Sequence, residues 1–342
     1  MKCRLKKITG KRFQNRPHFG TGLFIPVLLF FLLSLGLGLN AQEASLRYAV
    51  IPESLRPGEP ITVAIGGAGA LQGGFPHGEI RATLTTAQGR LCRAYFFNCP
   101  SQGEEGGFMA ALLGVPTSAR PGPARVLIEN PSGRLAELSF NIEPRDFIAE
   151  TIELDQANTE LRTLQDPRKT AESEHLWSLL NFTGKELYDP GPFSSPVSST
   201  RRTSFFGDRR VFKYSNGSSD TSIHAGIDYG VPRGTAVRAC ASGKVVLARP
   251  RIVTGNSVVI EHLPGVYSLY YHLDAIAVSE GETVQTGSIL GTSGSTGLAT
   301  GPHLHWEIRV AGENTDPDAL TARPVLDRNA ILAKLYPVNS DS

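Results

Sequence analysis

The sequence predicts a mainly β chain: two β bodies joined by a short helical connector. Three observations carry this. Residues 45–145 hold short apolar runs broken by turn residues; residues 146–196 switch to helix-like spacing and then a Pro/Ser-rich run; residues 197–318 return to strand-like runs punctuated by Gly. With 342 residues, 40% apolar and 19% charged, the chain has enough apolar material for a core in each body.

Residues 1–41 read as an export signal. Lys2, Arg4, Lys6, Lys7, Lys11, Arg12 and Arg16 precede the apolar run Leu23–Leu39, and Ala41 offers a small residue for cleavage. An uncleaved anchor is the second reading. The run falls short of the ~20 apolar residues a span prefers, and Pro26, Gly36 and Gly38 weaken it as a helix. Either way the expected location is the periplasm or cell envelope, with no stable membrane association if the signal is cleaved. No cysteine directly follows the run, so a lipid anchor is not expected. The formal charge of +2 comes from this segment: without its seven cations, 27 basic residues face 32 acidic ones, a net charge of −5. That balance gives no reason to expect a nucleic-acid partner. The oligomeric state is not legible.

In residues 45–145, EPITVAIGG, IRATLTTAQGR, FMAALLGVP, ARVLIENPSGR and LAELSFNIEP are the clearest strands, with Ala-Gln-Gly and Asn-Pro-Ser-Gly turns between them. Strands at this spacing predict an immunoglobulin-like β-sandwich. His77 stands alone in a Gly/Pro-rich loop and reads as solvated. Cys92 and Cys99 are expected either to close a small disulfide loop in an oxidising compartment or to be two buried thiols. Cys240 is expected as a buried free thiol in a strand.

In residues 146–196, FIAETIELDQANTELRTLQ and AESEHLWSLLNF predict two short helices separated at Pro167, with His175 on a helix surface. The Pro/Ser-rich run 189–200 reads as a linker. The position of this connector, directly before the second body, suggests that it restrains access there.

Residues 197–318 contain five of the eight histidines. TAVRACASGKVVLAR, SVVIEHL, VYSLYYHL, SILGTSGS and HLHWEIRV read as strands, and residues 319–342 as a C-terminal tail with one helical stretch, DRNAILAKLY. Three pieces carry chemistry: HAGID (224–228), YYHLD (270–274) and HLH (303–305). Alternate strand residues share a face, so His303 and His305 point to one side, and His224 and Asp228, four apart, share a face whether strand or helix. By the same parity His272 sides with Ser268 and Tyr270. Two imidazoles and a carboxylate suit Zn²⁺ at about 2.0–2.2 Å and leave a fourth position for water. A further histidine pair would then move protons or stabilise an oxyanion. Which of the five is ligand and which partner, spacing alone leaves open. His262 reads as structural, at a strand end.

Taken in order, TSFFGDRR, HAGIDYGVPRGTAVRACASGKVV, GNSVVIEH, YSLYYHL and VSEGETVQTGSILGTSGSTGLATGPHLHWEIR resemble the M23 peptidase family, the LytM or lysostaphin-type domain, from about Thr203 to Val310. The resemblance implies an antiparallel β fold with a groove on its sheet. It implies one zinc per chain held by His224, Asp228 and His305, with His272 and His303 as the catalytic pair. It also implies zinc endopeptidase activity on peptidoglycan stem peptides or cross-bridges. ARPRIVTGN, Cys240 and the loop RVFKYSNGSSDTS depart from the family pattern and border the expected groove. Two other readings compete: a non-catalytic regulator that activates other cell wall hydrolases, against which every expected site residue is present, and a structural zinc that only staples the sheet.

Overall fold

A computed structural model describes residues 46–52, 54–67, 79–100, 107–181, 184–188 and 191–337. Residues 1–41, expected as an export signal, and His77 lie outside the described residues.

The first body contains strands β1 (Arg47–Ile51), β2 (Ser54–Leu55), β3 (Pro60–Gly66), β4 (Arg81–Thr86), β5 (Gly89–Tyr95), β6 (Phe97–Cys99), β7 (Phe108–Gly114), β8 (Gly122–Asn130) and β9 (Gly133–Ile142). They form two sheets, ordered β1-β3-β7-β6 and β2-β9-β8-β4-β5. Ile61, Val63, Ile65, Leu84, Phe96, Met109, Leu113, Val126 and Ile128 form one core with side chains from both sheets. Strands β3 and β7 are buried along their whole length. Their odd-numbered residues enter that core, while Ala64, Phe108, Ala110 and Leu112 enter a second core shared with the C-terminal body. This explains why PITVAIG and FMAALLG are continuously apolar rather than alternating: both faces are covered.

Cys92 lies in the first core and Cys99 in the second, and both are free and buried. The reading as two buried thiols therefore holds over the disulfide. Burial pushes the Cys99 thiol up to about 12.

The connector departs from the expected pair of helices at its start. Residues Ala149–Glu153 form strand β10, parallel to β12 (Arg209–Lys213), which in turn pairs antiparallel with β13 (Ser219–Ile223). The apolar residues Ile148 and Ile152 suit a helix face by spacing, but the open edge of β12 supplies backbone partners that a lone segment lacks. Helices α1 (Gln156–Thr163) and α2 (Pro167–Leu180) follow, capped by Asp155 and Asp166, with Pro167 at the first helical position. His175 is exposed on α2. The Pro/Ser-rich run is pinned rather than free: Phe193 and Val197 are buried, and the Ser194 amide donates to the Cys240 carbonyl at 2.7 Å.

The second body is built on one large sheet. Strands β11 (Arg202–Ser204), β14 (Gly226–Tyr229), β15 (Ala236–Arg238), β16 (Gly243–Arg251), β17 (Gly255–Leu263), β18 (Val266–Ile276), β19 (Thr283–Val284), β20 (Ile289–Ser293), β21 (Leu304–Val310) and β22 (Glu313–Thr315) compose it. The main path runs β11-β14-β21-β18-β17-β16-β19. One face packs Ile227, Val258, Ile260, Tyr270, Trp306 and Ile308 into the shared core. The other carries Leu247, Val259, Tyr267, Leu269 and Tyr271 against Leu176 and Leu180 of α2.

The expected tail is packed. Helices α3 (Pro317–Ala322) and α4 (Arg328–Leu335) send Leu320, Ile331 and Leu335 into the shared core, and the Thr62 hydroxyl of β3 donates to the Val325 carbonyl. No helix among the described residues is long and apolar enough to cross a membrane.

Candidate metal centre and cleft

Strands β14 and β21 pair so that Asp228 stands opposite His305. Residues opposite each other in a ladder share a face, so carboxylate and imidazole meet without help from a loop. His224 sits just before β14, beyond the end of β13, and not within a strand with Asp228. The shared face inferred from their spacing is reached by a short turn instead. His224 Nε2 lies 3.1 Å from Asp228 Oδ1 and 3.0 Å from His305 Nδ1, and His305 Nδ1 lies 2.8 Å from the same Oδ1. All three residues are buried, at 2%, 7% and 8% exposure for His224, Asp228 and His305.

The donor set fits a divalent cation. His224 Nδ1 donates to the Phe205 carbonyl at 2.8 Å, which leaves Nε2 a bare lone pair aimed at a carboxylate oxygen and a second ring nitrogen. With His305 Nδ1 and Asp228 Oδ1 it forms a compact triangle of nitrogen and oxygen atoms that one cation can bind together. Bonds of 2.0–2.2 Å to a tetrahedral ion require donor separations of roughly 3.3–3.6 Å, a small expansion of the observed triangle. Burial first, only partly offset by Asp228, holds His224 below the ordinary histidine range, so a metal suits the position better than a proton. Burial works against ionised Asp228, yet its contacts with the His224 and His305 rings keep it well below the usual carboxylate range.

The other two expected residues stand beside this triangle. His303 makes an isolated bridge to Gly294 just before β21, and its Nδ1 donates to the Gly301 carbonyl at 2.8 Å. Its Nε2 lies 3.9 Å from Asp228 Oδ1, farther than the 2.8–3.1 Å that separates the three clustered atoms. His272 Nδ1 donates to the Thr296 carbonyl at 2.8 Å, and its ring centroid is 4.7 Å from that of His303. Both rings therefore keep Nε2 free of those carbonyls. Burial, then the charges of His303 and His305, pulls His272 down to about 3.

His272 reaches the cleft by breaking the parity of its strand. Tyr267, Leu269 and Tyr271 face α2, and Ser268 and Tyr270 face away, so strict alternation turns His272 away with Tyr270. Instead β18 carries a bulge. Val258 pairs with Tyr270 and Asn256 with Leu273, so Tyr271 and His272 together oppose Ser257. His272 takes φ +62°, a left-handed conformation that histidine adopts more readily than branched residues do. Its amide donates to the Thr254 carbonyl at 2.9 Å. The expectation that His272 sides with Tyr270 is thus corrected: it lines the cleft with Tyr271. The bulge needs Gly255 beside it, where φ is +63° and a Cβ would lie 2.2 Å from Thr296 Oγ1.

Sequence reasoning missed several supporting groups. Tyr271 stacks on the His305 ring, centroids 5.5 Å apart and planes 5° apart. Arg210 Nη2 donates to Asp228 Oδ2 at 2.7 Å. Only the location of Arg210 in the quoted TSFFGDRR segment hinted at it. His262 is fully buried at the end of β17, its Nδ1 donating to the Ser242 carbonyl, and it does not line the cleft.

The cleft has a volume of about 320 Å³. His224, Asp228, His272, His303 and His305 form its floor, and Ile152, Leu154 and Arg162 of the connector contribute to its wall.

Residues 222–317 match the family described as Peptidase family M23. The chain is 41% identical over 135 residues to the DD-carboxypeptidase/endopeptidase Mpg of Neisseria meningitidis serogroup B, covering 39% of this chain and 30% of that protein. It is 40% identical over 118 residues to the peptidoglycan DD-endopeptidase ShyA of Vibrio cholerae, covering 34% of this chain and 27% of that protein. The match therefore spans less than a third of either relative. A crystal structure from Pseudomonas aeruginosa, described as a peptidase M23, superposes with TM-score 0.51 and 24% identity over 78% of this chain and 94% of that one, which shows a shared fold.

Proposed function

We propose that this chain, whose residues 222–317 form an M23 peptidase domain, is an exported zinc endopeptidase that hydrolyses peptide bonds in peptidoglycan stem peptides or cross-bridges. The observation that carries the reading is the convergence of His224 Nε2, His305 Nδ1 and Asp228 Oδ1 within about 3 Å of one another on the floor of a cleft, with two further imidazoles beside them. The names of the relatives supply the substrate class.

His224, Asp228 and His305 would hold one zinc. The ion, when bound, supplies Lewis acidity toward a carbonyl oxygen and lowers the pKa of water. The remaining steps belong to the chain's own groups. The Gly301 and Thr296 carbonyls hold the Nδ1 protons of His303 and His272, so each ring presents Nε2 to the cleft as a proton acceptor. His272, neutral down to about pH 3, orients the attacking water as a hydrogen-bond acceptor. His303, less buried, takes the water's proton and returns it to the leaving amine. Ile152, Leu154, Leu298 and Ala299 bring apolar surface to the cleft, which limits bulk water around the bond being cut. The connector strand and α1 restrict entry from their side. The N-terminal pair of sheets, read as an immunoglobulin-like sandwich, serves binding or positioning, and the N-terminal segment directs export to the periplasm or envelope.

The test is direct. Purified chain should carry about one zinc and release soluble fragments from cell-wall sacculi, with mass spectrometry of defined muropeptides identifying the bond. A zinc-loaded protein that cuts none of several wall chemistries sinks the proposal. If His303→Ala abolishes fragment release but cells carrying it keep normal shape and division while a deletion does not, the non-catalytic regulator takes its place.

A further inference from the structure

Asp228 uses its two oxygens differently. Oδ1 faces His224 and His305, while Oδ2 accepts from Arg210 Nη2 at 2.7 Å. Arg210 is itself held: its Nε donates to Glu150 Oε1 at 2.6 Å, and parallel pairing of β10 with β12 sets Glu150 opposite Arg210. The guanidinium thus spans two carboxylates, a geometry suited to its planar fork. It is mostly buried, with 14% of the side chain exposed.

Glu150 also supports the second ligand. The Ser204 hydroxyl lies 2.7 Å from Glu150 Oε1 and 3.0 Å from Asp208 Oδ2. Asp208 Oδ2 accepts from the Phe205 amide at 2.8 Å, and the Phe205 carbonyl accepts from His224 Nδ1. Both His224 and Asp228 are therefore backed by one hydrogen-bonded cluster whose far end is a connector residue. Within that cluster Glu150 and Asp228 share one guanidinium and Asp208 joins through Ser204, so three carboxylates accompany one guanidinium, a setting that a divalent cation suits.

We propose that Arg210 and Glu150 are positioning residues of the metal centre: Arg210 occupies Asp228 Oδ2 so that only Oδ1 ligates the ion, and Glu150, from the connector strand, holds Arg210 in place. This rests on the metal-site reading given above. The consequence is that the connector is part of the metal centre's support as well as a wall of the cleft. With Oδ2 tied up, the carboxylate binds through one oxygen and a coordination position stays open. Without Arg210, Oδ2 is free to swing onto the ion and close it.

The experiment measures zinc affinity of the full chain by competition with a chromophoric chelator, and the visible spectrum of the cobalt-substituted protein. Four-coordinate cobalt absorbs much more strongly than five- or six-coordinate cobalt. Arg210→Ala should weaken zinc binding by about 10–100-fold and weaken the cobalt bands. Arg210→Lys should fall between, because one ammonium cannot fork to both carboxylates. Glu150→Gln, a residue that does not line the cleft, should shift affinity the same way by a smaller factor. The thermal melt of the zinc-free variants separates this from a merely structural role. A lowered melt with unchanged affinity and cobalt spectrum overturns the proposal. Should Arg210→Ala fail to fold, Glu150→Gln carries the test alone, and unaltered affinity there overturns it. A wild type that takes up no zinc, or one whose uptake survives His224→Ala, overturns the metal-site reading itself.

Discussion

Among the described residues, the N-terminal body buries Leu84, Phe96, Met109 and their neighbours with only the hydroxyls of Thr62 and Thr83 as polar company. The C-terminal body buries His224, Asp228, His262, His272, His305, Glu307, Asp208 and Glu261. Both are β, and both make cores from strands. A buried carboxylate or imidazole is costly unless paired, and the first body reaches a packed state without any. The second body's polar residues are not needed to make a sheet fold. Four of them, His224, Asp228, His272 and His305, line the cleft, so the contrast points to the candidate site.

The sharpest way to break the comparison acts on one side only. His303→Ala should lower turnover on sacculi by about 10²–10⁴-fold while zinc content stays near that of the unaltered protein, because its Nε2 stands outside the three-atom cluster. Zinc analysis and fragment release on the same sample check this. An unchanged rate would remove His303 from the proposed mechanism.

The complementary change acts on the apolar body. Phe96 is fully buried, and Phe96→Ala should cost about 3–5 kcal/mol in denaturant unfolding. Zinc affinity of the folded fraction should be unaltered, since Phe96 packs in the core that the cleft residues do not enter. A large loss of affinity would show that the two bodies are less separable in chemistry than their cores suggest.

A third prediction uses pH. His272 is held near 3, whereas the unfolded chain takes up its proton near 6.5. Between those values the unfolded state binds a proton that the folded state refuses. Stability of the zinc-free protein is therefore fully present above about pH 6.5 and declines as pH falls toward 3. His272→Asn, which tolerates the positive φ, should flatten that slope. Urea titrations at several pH values measure it; an equally steep slope in the variant would assign the dependence to other groups.

The smallest effect lies at the connector. Asp155 Oδ1 accepts from the Asn158 amide at 2.8 Å to cap α1. Asp155→Ala should cost about 0.5–2 kcal/mol, seen as faster hydrogen exchange in α1 without a change in zinc affinity.

Much of the centre was legible because its logic is local. His303 and His305 share a face through simple alternation, and Asp228 sits two strand positions from Gly226 at the head of a four-residue strand. Arg210, Glu150 and the carbonyls of Phe205, Thr296 and Gly301 were not legible. Each acts through a partner between two and 60 positions away, and nothing in residue type marks a carbonyl as a histidine's anchor. The connector's first segment misled for a related reason. Its apolar spacing suits a helix, and only the free edge of β12 makes it a strand.

What the sequence by itself determined was the inventory of chemistry and the period on which it is strung: a mainly β chain, five candidate site residues in three short pieces, and a resemblance that proposes which are ligands and which partners. What the tertiary structure decided was orientation. His272 points into the cleft because β17 offers one residue where β18 has two, and the extra residue turns the side chain over. Alternation is a property of a single strand, whereas a bulge is a property of a pair. Only the folded sheet holds the pair.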